Sequence, residues 1–380
     1  MKKKSKLNKN KFIPVNKPQI SNNDIRSVSN ILKTGWISAE GPSVKKFENN
    51  FSKFIGHKYA VAVSSGTAAL DIAIKSLDLK RNDEIIIPNF TIISNVLPGL
   101  KLGIKMKFID CGIYDWNFDL NKLKKAITSK TKVIIATHIY NYPIRMDLLR
   151  KICEEKKIII IEDAAEVLGQ KLFDKRCGSF GDISTFSFYA NKQITTGEGG
   201  MITTNNKKLY QKFSSLRNLA FGIKNRFNHD DIGWNYRMTN IQATLGISQL
   251  KRIGSIIKKR HSIGKRYYEN LKLNKNIYIP EPKKKFSYNI YWVIGVVVIN
   301  KKLNLDASKI MSKLKSMGIG TRPFFWPMNK QKILRRYNFK KSDFINSEFI
   351  SNYGFYLPTS LTLKNSEIDY VCKCVNKIIK

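Results

Sequence analysis

Acidic residues are scarce in this chain: 28 Asp and Glu stand against 68 Lys and Arg, a formal charge of +40 over 380 residues. Cysteine is scarce too. Cys111, Cys153, Cys177, Cys372 and Cys374 are odd in number and contain no CxxC pair. Alternate positions 372 and 374 point apart on a helix, so neither a metal site nor a disulfide framework is expected. Reduced thiols fit a cytoplasmic protein. No apolar run is long enough to cross a bilayer; the longest, YWVIGVVVI at 291–299, reads as a buried strand and no membrane partner is implied. The N-terminus, MKKKSKLNKNKF, has no apolar segment behind its lysines and reads as a basic arm over residues 1–20 rather than a secretory signal.

The missing acids leave a large positive charge to explain. A nucleic-acid binder concentrates basic residues in one patch, often with aromatics for stacking. Here lysine is spread along the whole chain, which is a compositional bias with attraction of anionic ligands as a secondary effect, and no specific nucleic acid is expected. Hydrophobic content of 42% and aromatic content of 11% are those of a globular protein. The length allows a large domain over 21–250 and a smaller α+β domain over 251–380.

Val/Ile-rich runs at 58–65, 83–90, 104–111, 132–139, 157–165, 182–188 and 199–205 alternate with amphipathic stretches such as 67–79 and 145–157. That alternation predicts an α/β fold with a mostly parallel sheet buried on both faces. In the C-terminal part a long basic helix is expected over 249–272, then a strand over 288–299.

Chemistry-bearing motifs fall at the carboxyl ends of the predicted strands, where such sheets collect ligands. In SSGTAAL (64–70) a strand turns at Gly66 into a helix starting near Thr67, an arrangement suited to phosphate. An ordinary helix cap would look the same. In IIIIEDAAEVLG (158–169) a buried strand ends in Glu162 and Asp163, with Glu166 one helical turn on. Glu162 reads as a cap. Asp163 suits a protonated ring nitrogen, which it would hold by a charge-assisted hydrogen bond. In FSFYANKQITTGEGGMITT (186–204), Lys192 follows Ser187 by five residues and precedes a glycine-dense turn. Most lysines of this chain are solvated charges. One fixed beside a phosphate site and an acid suggests a Schiff base to pyridoxal phosphate.

Together with GWISAEGP (35–42), GWNYRMTNIQATLG (233–246) and TRPFFWPM (321–328), these motifs resemble the DegT/DnrJ/EryC1/StrS family of sugar-nucleotide aminotransferases. The resemblance implies a fold-type I, aspartate aminotransferase-like architecture with pyridoxal 5′-phosphate as cofactor. It implies Lys192 as the Schiff-base lysine, Asp163 as partner of the pyridine nitrogen and Glu166 near the ring hydroxyl. Gly66, Thr67, Ala68 and Ser187 would hold the phosphate, and Ile92 would lie on the ring face. Asn235 would reach the phosphate of a neighbouring subunit's cofactor, which makes a homodimer with composite active sites. Trp36, Arg322, Phe325, Trp326 and Asn329 would lie near the nucleotide-sugar cleft; packing of one domain on the other explains Phe324, Phe325 and Trp326 nearly as well. The implied reaction moves the amino group of L-glutamate to a nucleotide-linked 4-keto-6-deoxyhexose. STFSFYANKQITTGEGGM and TRPFFWPM most resemble members that aminate GDP-4-keto-6-deoxymannose; UDP- or dTDP-4-keto-6-deoxyglucose is the alternative.

Three positions depart from the family pattern. Ile92 stands where an aromatic residue usually stacks on the ring, with Phe90 two residues earlier. Asn141 replaces the usual glycine in HIYNYP, and Asn329 replaces a common histidine. Two rivals differ in their demands. A sugar 3-dehydratase of the same fold carries histidine in place of the lysine, against which Lys192 argues. A non-catalytic basic binding protein would need none of the three motifs.

Overall fold

A computed structural model describes residues 12–140, 142–221, 227–229 and 231–380. Seven strands form the central sheet: β1 Tyr59–Val63, β2 Glu84–Pro88, β3 Lys105–Ile109, β4 Thr131–Thr137, β5 Ile159–Asp163, β6 Ile183–Ser187 and β7 Gly200–Thr204. Six of them lie inside the Val/Ile runs, and β4 starts one residue ahead of the run at 132–139. Their order is β1-β7-β6-β5-β4-β2-β3. Only β7 runs against its neighbours, pairing antiparallel with β1 and β6, while β6, β5, β4, β2 and β3 pair in parallel.

Alternation along these strands feeds two cores, because successive side chains leave opposite faces. Ala62, Ile86, Ile134 and Ile160 pack with Phe47 and Phe51 of helix α1 (Pro42–Ile55). Val61, Ile85, Ile135 and Ile161 pack with Ala69, Ile72 and Ala73 of helix α2 (Gly66–Lys75). Each fully buried isoleucine contributes roughly 1.5–3 kcal/mol relative to exposure. Both faces being covered explains why the runs are continuous rather than alternating in polarity.

The C-terminal region departs from the sequence reading in two places. The helix expected over 249–272 is two helices, α3 (Asn240–Lys251) and α4 (Ile253–Leu271), because Arg252 leaves helical geometry at φ −106° and ψ 13°. Its guanidinium is held instead by Asp24 at 3.0 Å and the Gln19 carbonyl at 2.6 Å. The strand expected over 288–299 is shortened to Ile294–Val298, Tyr288 belonging instead to a separate short hairpin with Lys283. Upstream, Tyr291 takes the left-handed region at φ +50°, and Arg260 of α4 donates to the Tyr291 and Trp292 carbonyls at 3.2 and 3.0 Å. With β8 (Ile277–Tyr278), β10 (Arg322–Pro323) and β11 (Gly354–Leu357), this strand, β9, forms an antiparallel sheet ordered β8-β9-β11-β10.

Of the expected N-terminal arm, residues 1–11 lie outside the described residues. Ile13 is buried and exchanges backbone hydrogen bonds with Gly318 and Gly320, both at 2.8 Å. An aromatic cluster of Phe90, Trp116, Tyr140, Trp292 and Phe324 joins the end of the large sheet to the small one. Among the described residues no helix is long and apolar enough to cross a membrane, and all five cysteines are free and buried.

Candidate active site

A cavity of about 340 Å³ opens at the carboxyl end of the central sheet. Gly66, Thr67, Ile92, Asp163, Glu166, Ser187, Lys192 and Phe325 line it. These come from five separate stretches of chain, each delivered by a strand end or the turn after it.

Under the cavity the start of α2 is built for close approach. Ser65 caps the helix, its Oγ accepting the Ala68 N–H at 3.0 Å and its carbonyl the Ala69 N–H at 3.1 Å. The Ala68 amide, expected among the phosphate ligands, is therefore already engaged, whereas Gly66 and Thr67 stand at the open end of the helix. A Cβ on Gly200 would press into the Ser65 carbonyl and come within 2.9 Å of the Gly66 nitrogen. One on Gly66 would sit 3.0 Å from the Ser187 Cβ. Both glycines keep the cradle open. The Thr67 hydroxyl lies 2.9 Å from Ser94 Oγ.

Asp163, the last residue of β5, is buried, and burial raises its carboxyl above the usual range. The Ala165 N–H, the Asn95 side chain, Lys192 and His138 oppose that rise. Burial likewise pushes Glu166 up to about 8, against the pull of Lys192 and the Tyr140 N–H donated to its Oε2 at 2.6 Å. Lys192 sits in the turn after β6, and burial lowers its amine; Glu166 and Asp163 favour the charged form and Arg260 disfavours it. The Lys192 Nζ lies 3.7 Å from the centroid of the Trp292 ring.

The adjacent Glu162 faces the other way. Its carboxylate accepts N–H groups from Gly178 at 2.5 Å and from Phe180 and Gly181 at 2.8 Å, and meets His138 Nε2 at 2.9 Å. The His138 Nδ1 accepts from the Ile144 N–H at 3.0 Å, so Nε2 carries the proton given to Glu162. Glu162 is thus the hub of a buried network rather than a simple helix cap.

The remaining predicted residues lie apart from the cavity lining. Asn235 is exposed, beside Asn218 in an isolated bridge. Trp36 is exposed, its carbonyl accepting from Asn240 Nδ2 at 2.6 Å. Arg322 and Trp326 are exposed. Asn329 is spent on structure: it exchanges two 2.9 Å hydrogen bonds with Asn89 and donates to Glu348 at 2.7 Å. Asn141 lies outside the described residues; the preceding Tyr140 takes the left-handed conformation at φ +58°. Several lining residues were not read from the sequence, among them Thr185, Asn191, Trp292 and Tyr356. Trp292 and Tyr356 belong to the distant C-terminal region, and nothing local marks them.

The residues present fit pyridoxal phosphate. The cavity offers a helix start with hydroxyls at one end, a buried acid at the strand end and the amine of the half-buried Lys192. Two of its lining atoms, Thr185 Oγ1 and Asn191 Oδ1, are buried without a protein partner, which in a folded interior calls for a ligand or ordered water.

Comparison with known proteins gives a consistent result. The model of the DegT/DnrJ/EryC1/StrS aminotransferase family matches residues 18–376. The chain is 33% identical over 367 residues to GDP-perosamine synthase of Escherichia coli O157:H7, covering 97% of this chain and 98% of that one. It is 32% identical over 367 residues to the Vibrio cholerae GDP-perosamine synthase, at 96% and 98% coverage. The solved E. coli GDP-4-keto-6-deoxy-D-mannose-3-dehydratase with bound hydrated PLP superposes with a TM-score of 0.89 at 25% identity, covering 97% of this chain and all of that one.

Proposed function

The chain belongs to the DegT/DnrJ/EryC1/StrS family and is a pyridoxal-phosphate-dependent sugar aminotransferase, and from that premise we propose that it aminates a nucleotide-linked 4-keto-6-deoxyhexose at C4 with L-glutamate as donor. GDP-4-keto-6-deoxymannose is the preferred substrate in this reading and GDP-perosamine the product. The observation that carries it is Lys192, a half-buried lysine in the cavity wall beside Asp163 and Glu166, its amine made less basic by desolvation. The similarity to two perosamine synthases over nearly the whole chain supports the choice of sugar.

Pyridoxal phosphate, when bound, supplies an electron sink for the carbon that loses a proton. The chain supplies the rest. Lys192 Nζ, its basicity lowered by burial, takes the proton from the donor's α-carbon and returns it on the other side of the transfer. Asp163 presents a carboxylate whose burial is unfavourable until a cationic N–H meets it, so it would hold a protonated ring nitrogen. Gly66 and Thr67 give the helix start, with Ser187, to a phosphate. Ile92, 42% exposed at the cavity edge, would pack against the bound ring. Asn235, exposed on the surface loop, is assigned to the cofactor phosphate of a second copy in a homodimer.

A panel of GDP-, UDP- and dTDP-linked 4-keto-6-deoxy sugars with glutamate, read by cofactor absorbance and product mass, tests the substrate. Strong preference for a UDP- or dTDP-linked 4-keto-glucose overturns the GDP-mannose assignment. A 3-dehydratase is disfavoured by Lys192 itself, and loss of the 3-hydroxyl in the product would restore that reading. Mixing inactive Lys192→Ala and Asn235→Ala chains tests the composite site: hybrids regain activity if the two residues serve one site from different subunits.

A further inference from the structure

Arg260 is a buried cation without an acidic partner among the described residues. It is 2% exposed, and among the described residues no ion pair reaches it and its Nε has no hydrogen-bond acceptor. Burial alone depresses its guanidinium to about 10. An unpaired charge in the interior is costly, and a methionine would fill the same space without that cost. What the guanidinium does contact is backbone: Nη1 donates to the carbonyls of Tyr291 and Trp292. The Tyr291 turn is left-handed at φ +50°, and Asn289 Oδ1 accepts its N–H at 2.7 Å. The ring of Trp292 is fixed at its far edge by Nε1–H donating to the Asn191 carbonyl at 3.0 Å, one residue before Lys192. Its face lies 3.7 Å from the Lys192 Nζ.

We propose that Trp292 and Arg260 are positioning residues that set the location and the protonation of Lys192 from opposite directions. The Trp292 face holds the amine at the cavity wall and favours its charged form by cation–π attraction. Arg260 locks the turn that carries Trp292, and its own charge disfavours a second cation close by. The other charged or titratable groups facing Lys192 are Glu166 and Asp163. Tyr189, Glu198 and Tyr356 share its cavity, and Lys17 lines the small void behind it together with Arg260. None of these touches the Trp292 turn through the contacts described for Arg260. The pair therefore tunes the amine separately from the acids that bind cofactor.

The inference rests on Lys192 being the residue that takes the cofactor, and the test separates the two. Full-length protein is freed of cofactor and recharged with pyridoxal phosphate, and the capture rate is followed by absorbance across pH. Only the neutral amine reacts, so the midpoint of the profile reports Lys192. Trp292→Leu should move that midpoint down by about 0.5–1 pH unit, and Trp292→Phe, which keeps a π face, by less than half as much. Arg260→Met should move it up, removal of a facing charge outweighing any loosening of the Trp292 turn. Arg260→Lys, which keeps the charge but not the forked contact, should leave the midpoint nearer to that of the parent than Arg260→Met does. Shifts of opposite sign support the proposal. Absent shifts, shifts of the same sign, or a Phe variant equal to the Leu variant overturn it, even where stability falls. If Lys192→Ala captures cofactor covalently with the parent's pH profile, it is the functional reading that fails.

Discussion

At the end of β5 the two faces of the sheet treat neighbouring carboxylates in opposite ways. Glu162 and Asp163 are both buried. On one face, three backbone N–H groups and His138 surround Glu162 and hold its carboxyl below the usual range despite burial. On the other, Asp163 meets the cavity with a single backbone N–H and the Asn95 side chain, and its carboxyl is raised. The same burial stabilises a charge where hydrogen bonds complete its shell and leaves it unsatisfied where they do not. A satisfied acid is architecture. An unsatisfied one is a place for a ligand.

Breaking the comparison begins with Asp163→Ala. Turnover should fall roughly 10²–10³-fold, the scale for removing one electrostatic contact at a reacting centre. Melting of the cofactor-free protein should not fall, since an uncompensated carboxylate is removed. A large stability loss with unchanged turnover would contradict the division. Glu162→Gln should do the reverse, costing about 3 kcal/mol in denaturant unfolding by leaving buried N–H groups poorly paired. Turnover per folded molecule should change little.

The pH dependence of stability sharpens the contrast, with the signs worked out by linkage. Glu162 has a depressed folded pKa, so its contribution is present above the ordinary carboxylate range and fades as pH falls through the depressed value. Glu84, held by Lys105, Lys107 and Thr128, behaves alike and loses its contribution between about 4.5 and about 2. Glu166 is the opposite case: with a folded pKa near 8, the cofactor-free protein should lose stability as pH rises from about 4.5 towards 8. Glu166→Gln should flatten that slope in melting curves, and a persistent slope would place its origin elsewhere. The smallest effect is expected from Ile92→Phe, which restores an aromatic at the cavity edge. Cofactor affinity measured by equilibrium titration should tighten about 2- to 10-fold, the range of an added ring–ring contact.

Much of this was legible in the sequence because it is local. Each strand of the large sheet coincides with a Val/Ile run to within one residue, and Gly66, Asp163, Ser187 and Lys192 occupy the strand ends the motifs predicted. Legibility failed where a distant contact overrode local pattern. The run 249–272 has continuous helical character, yet Arg252 breaks it to reach Asp24 and Gln19. The run 288–299 is apolar enough for one strand, yet Arg260 claims the carbonyls at Tyr291 and Trp292. Glu162 read as a cap because its partners, His138 and Gly178 to Gly181, are remote from the β5 motif in the chain.

The sequence alone determined the α/β class, the family, the cofactor and the lysine that stands apart from the other basic residues. Periodicity and short motifs are properties of neighbouring residues, and they survive without knowledge of the fold. Only the tertiary structure decided how basic that lysine is and what presses against it. Trp292, Arg260, Glu166 and Asp163 reach Lys192 from three separate regions of the chain. Desolvation and Coulomb interaction depend on distance through space, and the order of residues does not encode that distance.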